Sequence, residues 1–318
     1  MGISRKDTLD CFASDDLIGI GMEADAVRRR LHPEGVVSYT IDGRIDYTKS
    51  SNGADFEPIF DQISKVVTFG GTGIMLQGEV LPTLTISWFD GLFRSIKDHF
   101  PILWLHCLSA SEILAIAENS GLTMQNTIAR LRDAGLDSIP GDDAGILDDV
   151  VQHQSPRARW NTEDWIAVHR TAHKLGMRTT ATMMFGGGET FEHRVNHLEA
   201  IRQLQEKTGG FSSFTPWTFA AGDSTMTGFE EATAVEYLKT LAISRMYLDN
   251  IENVQSNLET QGLKVLQVGL RFGGNDVGSV LHAEGANAAT EEQLRQVIRD
   301  AGFKPVQRDT LYRTMFLN

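Results

Sequence analysis

Residues 177–189, MRTTATMMFGGGE, concentrate groups that could do chemistry. Thr179, Thr180 and Thr182 set hydroxyls among small and apolar side chains, the pattern of a buried strand. Gly186, Gly187 and Gly188 then allow a sharp turn with no side chain in the way. Glu189 follows, a carboxylate that could take or give a proton. In a parallel α/β protein the carboxyl end of such a strand faces the site. The hydroxyls and Glu189 are therefore expected to point at a ligand.

Other segments end in the same manner. Gln77-Gly78-Glu79, His106-Cys107-Leu108-Ser109 with Glu112 just after, and Gly141-Asp142-Asp143 fall at predicted strand ends. So do Pro216-Trp217-Thr218, Gln255 with Asn257, and Asn275-Asp276 with Ser279. Carboxylates and amides dominate, and His106 is the one ring placed to shuttle protons. The set suits a polar small molecule with an amine or several hydroxyls. Taken singly, each residue also suits a structural or solvated role; their gathering at one rim is the signal.

Motifs pointing elsewhere are weak. Residues 69–73, FGGTG, resemble a dinucleotide loop but follow a helix and precede a strand, the wrong order for holding a pyrophosphate. His169 and His173, like His193 and His197, stand four apart, but no third ligand accompanies either pair, so no metal is expected. Cys107 reads as a buried neutral thiol rather than a nucleophile.

The elements that must position these residues alternate along the chain. A helix is expected over 7–31, stopped by Pro33 and Gly35. VVSYTIDGRIDYT reads as two alternating runs around Asp42-Gly43, a hairpin signal. From residue 56 onward helices and strands alternate, giving roughly eight strands. The expected fold is α/β, a closed (β/α)8 TIM barrel in one domain spanning residues 1–318. The N-terminal helix and hairpin of residues 1–47 would pack on it.

Composition sets outer bounds. Charged residues are 22% and hydrophobic ones 41% of the chain, enough for a sizeable core. A net charge of −13 is repelled by phosphate backbones, so nucleic acid is not expected as a partner. No apolar run reaches the about 18 residues of a membrane span. The N-terminal MGISRKDTLDCF lacks the apolar core of a signal peptide. A cytoplasmic protein is expected, with Cys11 and Cys107 both reduced.

Seven segments carry a resemblance: LIGIGMEADAVRRRLHPEGVVSYTIDGRIDYT, GTGIMLQGE, AGLDSIPG, LGMRTTATMMFG, TGGFSSFTPWTF, LRFGGNDVGS and QRDTLYR, in that order. Together they resemble the radical S-adenosylmethionine enzymes of the futalosine route to menaquinone, over nearly the whole chain. The resemblance implies a barrel of the radical SAM type. It implies that Gln77, Gly78 and Glu79 hold the methionine part of S-adenosylmethionine. The rims of strands four and five, with Asp142, Asp143, Thr180, Thr182 and Met184, would hold its ribose and adenine. Ser109 joins this cofactor set from the end of strand three. The C-terminal segment would lie near the substrate mouth, which makes Gln307, Arg308 and Asp309 candidate contacts. Arg271, Asn275, Asp276 and Trp217 complete that set, for a nucleoside-like substrate.

The sequence departs from the family at one place above all. The family sets a Cys-x3-Cys-x2-Cys loop directly after the strand that here ends at Tyr47-Thr48, and its thiolates hold a [4Fe–4S] cluster. Here Lys49-Ser50-Ser51-Asn52-Gly53 leads straight towards the next helix, with no cysteine. About twenty residues are missing relative to that pattern, and cluster ligation needs thiolates at short fixed spacing. A second departure is Gly141-Asp142-Asp143-Ala144-Gly145, where the family has a glycine run followed by Ala-Glu. Without a cluster no electron donor stands beside the sulfonium, so radical cyclisation is not expected. The expectation is an enzyme that binds S-adenosylmethionine or a related nucleoside and does polar chemistry, displacement or elimination at the sulfonium. Glu79, His106 or Glu189 would act as the base. The alternatives are an acid–base enzyme on a futalosine-like nucleoside, and a non-catalytic binding or accessory protein.

Overall fold

The computed structural model describes residues 2–50, 55–152, 160–219, 231–282 and 284–316. Its strands are β1 (Val36–Thr40), β2 (Asp42–Asp46), β3 (Gly73–Gln77), β4 (Trp104–Leu105), β5 (Ser138–Ile139), β6 (Arg178–Phe185), β7 (Phe211–Thr218), β8 (Asn253–Val254), β9 (Asp276–Ser279), β10 (Lys304–Arg308) and β11 (Met315–Phe316). Its helices are α1 (Arg5–Ala13), α2 (Leu17–Leu31), α3 (Tyr47–Ser50), α4 (Glu57–Thr68), α5 (Ile86–His99), α6 (Ala110–Ser120), α7 (Met124–Ala134), α8 (Asp149–Gln152), α9 (Thr162–Lys174), α10 (Phe191–Thr208), α11 (Ala234–Tyr247), α12 (Leu258–Gly269) and α13 (Glu291–Asp300).

The strands close into a barrel. β2, β3 and β4 pair in order, and so do β5 to β8, every pair parallel. Single parallel bridges, His106 to Ser138 and Gln255 to Asp276, join the two runs and lead on to β9. β9 returns to β1 through Ser38–Asp276 and Thr40–Ser279, which closes the ring.

The expected hairpin at Asp42-Gly43 does not form. β1 and β2 are one barrel strand whose neighbour changes along its length: β1 pairs with β10 and β9, and β2 with β3, all parallel. The physical reason is visible in the pleat. Ser38, Thr40, Asp42, Arg44 and Asp46 keep one parity straight through residues 42 and 43, while Val37, Tyr39, Ile41, Ile45 and Tyr47 are buried on the other. A turn would have broken that alternation. Gly43 serves packing instead: a Cβ there would lie 2.3 Å from Val66 Cγ2 of α4. The single helix expected over 7–31 is likewise two, because Asp16 accepts the Gly19 N–H and starts a new helix at Leu17.

Helices cover the barrel with apolar faces at helical spacing. On α5, Ile86, Phe89, Leu92, Phe93 and Ile96 are all buried. Burial of each such side chain stabilises the fold by about 1.5–3 kcal/mol. On β6 the residues facing the helices are Ala181, Met183 and Phe185, all in the main core. Thr180 and Thr182, of the other parity, face the barrel interior. Among the described residues, no helix is long and apolar enough to cross a membrane.

Candidate active site at the carboxyl end of the barrel

Two cavities open where the strands end. The outer one has about 700 Å³ of empty space, open mouth included, and lies over β2, β3, β4 and β5. Asp46, Gln77, Gly78, Glu112, Asp142 and Asp143 give it its chemistry. The inner one, of about 690 Å³ on the same measure, is the barrel interior, lined by His106, Thr180, Thr182, Trp217, Arg308 and residues between them. Asp142 and Met75 line both, so the cavities meet at those two side chains.

The end of the first barrel strand is tied down where the family loop would begin. The Tyr47 hydroxyl donates to Glu112 at 2.6 Å, and its ring packs edge-on against Phe89. Glu112 also accepts the N–H groups of Gly78 (3.1 Å) and Ser109 (2.7 Å). Thr48 Oγ1 accepts the Glu79 N–H at 2.7 Å. Gly78 must be glycine here, since a Cβ would meet Thr48 Oγ1 at 2.3 Å and the Tyr47 ring at 3.0 Å. Tyr47, Thr48 and Glu112 therefore tie the end of β2 to the end of β3, while Ser51, Asn52 and Gly53 of the connection lie outside the described residues. Burial pushes the Glu112 carboxyl up to about 7, although Tyr47 and Ser109 bond its charged form.

Asp142 is the carboxylate best placed for chemistry. No hydrogen bond among the described residues ends on its side chain, and it faces both cavities. Burial pushes its carboxyl up to about 6 against the opposing pull of Arg44, with Asp143 and Glu259 adding to the rise. Its neighbour Asp143 is engaged: it accepts the Ser111 N–H at 2.7 Å and the Trp165 indole N–H at 3.1 Å. Ser109 lines the outer cavity, but its hydroxyl caps α6.

His106 sits in the inner wall. Its Nδ1 is 2.9 Å from Ser138 Oγ and its Nε2 3.5 Å from Thr180 Oγ1. Burial, aided by the Arg308 charge, holds its pKa down to about 3. The ring is neutral at physiological pH and orients hydrogen bonds rather than carrying charge. Thr182 donates to the Gly141 carbonyl at 2.5 Å, so both threonines fix the Asp142 loop while facing the inner chamber.

Several residues named from sequence are bonded within the protein or lie outside both cavities. Glu189 does not face a ligand. Its carboxylate accepts the N–H groups of Gly186 and Gly187 and pairs with Arg194 at 2.6 Å, with 2% of the side chain exposed. The glycine turn points its amides at this one carboxylate, and Gly186 and Gly188 take positive φ to do so. Replacing Glu189 by alanine is expected to lower unfolding free energy by about 3 kcal/mol, read by urea denaturation, with the pH profile of turnover unmoved. A shifted profile would return Glu189 to the site. Glu79 is exposed and lines neither cavity. Met184 also lies outside both, its N–H bonded to the Gly145 carbonyl.

At the far side of the barrel, Arg308 lines the inner chamber, and Asp276 holds it with two bonds of 2.6 and 2.8 Å. Asp276 itself lies behind that pair, fully buried. Asp309 does not pair with Arg308 through its carboxylate; it accepts the N–H groups of Leu311 and Arg313 and shapes the turn. Asn275 is consumed by Arg245, the Val254 N–H and Asn253. Arg271 is exposed, bonded to the Ala301 carbonyl and stacked over Phe303. Gln307 is bonded to the Gly70 carbonyl. Asp42, Thr40, Tyr312 and His282, which also line the chamber, were not singled out from sequence.

Neither thiol reaches a cavity. Cys107 is buried, with its sulfur 3.6 Å from the Ile74 carbonyl and 3.4 Å from the Leu76 nitrogen, and burial pushes its pKa far up. Cys11 lies on α1. Of the histidine pairs, His169 and His197 are fully buried, His173 bonds Thr208 and Thr179, and His193 Nδ1 accepts the Thr190 N–H.

Comparison with known proteins gives consistent matches. Residues 208–317 match a family model described as the CofH/MqnC C-terminal region. The chain is 34% identical to cyclic dehypoxanthine futalosine synthase of Halalkalibacterium halodurans, covering 98% of this chain and 90% of the relative. That match runs over 335 positions, more than the 318 residues present here, so gaps open in this chain. It is 37% identical to 5-amino-6-(D-ribitylamino)uracil–L-tyrosine 4-hydroxyphenyl transferase of Methanothermobacter thermautotrophicus, over 81% of this chain and 74% of the relative. Among solved structures, methylornithine synthase superposes with a TM-score of 0.65 at 14% identity, covering 96% of this chain and 94% of that one, a likeness of fold.

Proposed function

Because this chain belongs to the radical S-adenosylmethionine family of menaquinone biosynthesis, we propose that it binds S-adenosylmethionine or a related nucleoside and uses it in polar, two-electron chemistry. The observation that carries this reading is the make-up of the outer cavity. Asp46, Glu112, Asp142 and Asp143 line it, and no cationic side chain and no thiolate does among the described residues. Such a wall stabilises a positive ligand, a sulfonium or an ammonium, and offers nothing that ligates iron–sulfur. The family cluster does not fit this chain. The two cysteines, Cys11 and Cys107, are 96 positions apart in a sequence with no others.

S-adenosylmethionine fits by charge, and when bound it supplies an electrophilic carbon next to sulfur. The protein's own part is positioning and proton transfer. Asp46 and Glu112 offset positive charge on one side of the cavity. Gln77 offers a carboxamide at the end of β3. Asp142, at the junction of the cavities, takes a proton from whatever group the inner chamber presents, in place of Glu79, Glu189 or His106. His106, held by Ser138 and Thr180, fixes the orientation of that group. The lack of any cysteine between Tyr47 and Phe56 and the Tyr47–Glu112 hydrogen bond support loss of the cluster loop.

Calorimetry with S-adenosylmethionine, followed by product analysis in air without reductant, tests the reading. Binding and turnover are expected; neither would occur if the reading is wrong. The inner chamber, with Asp142 at its mouth, also supports a second reading, acid–base chemistry on a nucleoside alone. Turnover that needs no S-adenosylmethionine would select it.

A further inference from the structure

The C-terminal segment closes the amino end of the barrel, opposite the mouth where the strands end. β10 lies beside β1, below the point where β2 takes β3 as its neighbour. Gln307 of β10 bonds the Gly70 carbonyl in the turn leading to β3. Residues 309–314 then turn the chain back into β11. The Asp309 N–H donates to the Thr314 carbonyl, and the Asp309 carboxylate accepts the Leu311 and Arg313 N–H groups.

The tip of this hairpin reaches across the floor. Thr310 donates to Asp42 of β2 at 3.0 Å. Arg313 stacks over Trp104, the first residue of β4. The Tyr312 hydroxyl accepts from Gln255, which follows β8. Thr310 and Tyr312 line the inner chamber, whereas residues 313–316 are exposed. The tip therefore has the chamber on one side and solvent on the other.

Its seat is made by a missing side chain. A TIM barrel ordinarily fills its axis with layers of bulky branched residues. Here β1, β2 and β7 turn the short Thr40, Asp42 and Ser213 to the chamber, and β3 begins with Gly73. A Cβ at Gly73 would lie 2.1 Å from Thr310 Oγ1, so the threonine hydroxyl takes the space that a side chain of β3 would fill. The tip is also strained. Tyr312 has a φ of 58°, a left-handed conformation that residues bearing a side chain rarely adopt. The anchor at the base of the hairpin is separate: Arg308 pairs with Asp276 before the turn begins.

We infer that residues 309–313 are a plug over a second opening of the inner chamber, at the amino end of the barrel, seated by Thr310 in the niche that Gly73 leaves. When the plug lifts, the chamber is reached without passing the outer cavity, which it meets at Asp142 and Met75. The Arg308–Asp276 pair keeps the base of the hairpin in place while the tip moves.

Thiol labelling of the whole chain tests this. Ser213→Cys places a thiol in the chamber, and the native Cys107, buried and lining neither cavity, reports general loosening. Iodoacetamide labelling read by mass spectrometry follows both sites in one sample. In that background Gly73→Ala, whose Cβ unseats Thr310, is expected to label the chamber thiol at least about tenfold faster, with Cys107 unchanged. Thr310→Ala alone loses one hydrogen bond and should speed labelling about two- to fivefold. Combined with Gly73→Ala it removes the clashing hydroxyl, so the pair should fall back to the rate of Thr310→Ala. The other close contacts of the new Cβ, the Trp104 carbonyl at 3.1 Å and Asp42 Oδ1 at 3.2 Å, are common to the single and double variants. An unchanged rate in Gly73→Ala, a double variant as fast as Gly73→Ala, or Cys107 labelled in step with the chamber thiol overturns the inference. If Gly73→Ala does not fold, Tyr312→Ala, which takes the ring out of the floor, decides between the same outcomes: faster labelling of the chamber thiol alone, or not.

Discussion

Replacing Asp142 by asparagine is expected to cut turnover by about 10²–10⁴-fold, the range for a general base, and to weaken ligand binding far less, since Asp46, Glu112 and Asp143 remain in the outer cavity. The carboxylate faces both cavities and makes no hydrogen bond with the described protein, so its lone pairs are available to a ligand. Burial pushes its pKa up to about 6, so turnover should rise with pH through about 6 and then level, and that limb should vanish in the variant. The stability effect has the opposite sense. A carboxyl whose folded pKa exceeds its unfolded one favours folding below the unfolded value, and this contribution is lost as pH rises through about 6. Asp142→Asn should therefore be at least as stable as the parent at neutral pH. Falling stability together with an unchanged pH limb would assign Asp142 to the scaffold instead.

The second large effect concerns Arg308. Changing it to methionine leaves Asp276 fully buried with its principal partner gone. Removing one member of such a pair costs about 3–5 kcal/mol, because the remaining charge is stranded. Urea denaturation should show that loss for Arg308→Met. The double change Arg308→Met with Asp276→Asn should recover a large part of it, since the stranded charge goes too. A single variant within about 1 kcal/mol of the parent would mean the pair does not hold the C-terminal strand to the barrel.

Much of the barrel was legible because its helices and strands alternate with clear punctuation. The β6 strand was legible as an element, but its parity was not read: Thr179, grouped with Thr180 and Thr182 as facing a ligand, is buried on the other side of the strand and bonds His173 of α9. Asp42-Gly43 was misread because the dipeptide is a strong turn signal, yet the polar parity from Ser38 to Asp46 runs through it unbroken. That unbroken parity was the signal that could have found Thr40, Asp42 and Asp46. Glu189 was misread for a related reason. A carboxylate after a glycine run suits a ligand site and an amide anchor equally, and only the position of Arg194, which pairs with it from one turn along α10, separates them. Asn275 and Asp309 show the same limit: amides and carboxylates at strand ends serve turns and buried arginines as readily as ligands. His282 and Tyr312 stood in segments with no pattern of their own, and the chamber wall they form depends on closure of the barrel between β9 and β1.

The central claim is that reactivity in this chain moves electrons in pairs, because no set of thiolates surrounds the outer cavity. The most direct measurement is anaerobic reconstitution with iron and sulfide, followed by reduction and EPR in the presence of S-adenosylmethionine, with 5′-deoxyadenosine assayed in the same samples. The account predicts no iron–sulfur signal and no 5′-deoxyadenosine. A [4Fe–4S] signal that responds to S-adenosylmethionine, or 5′-deoxyadenosine formed only under reduction, would contradict it.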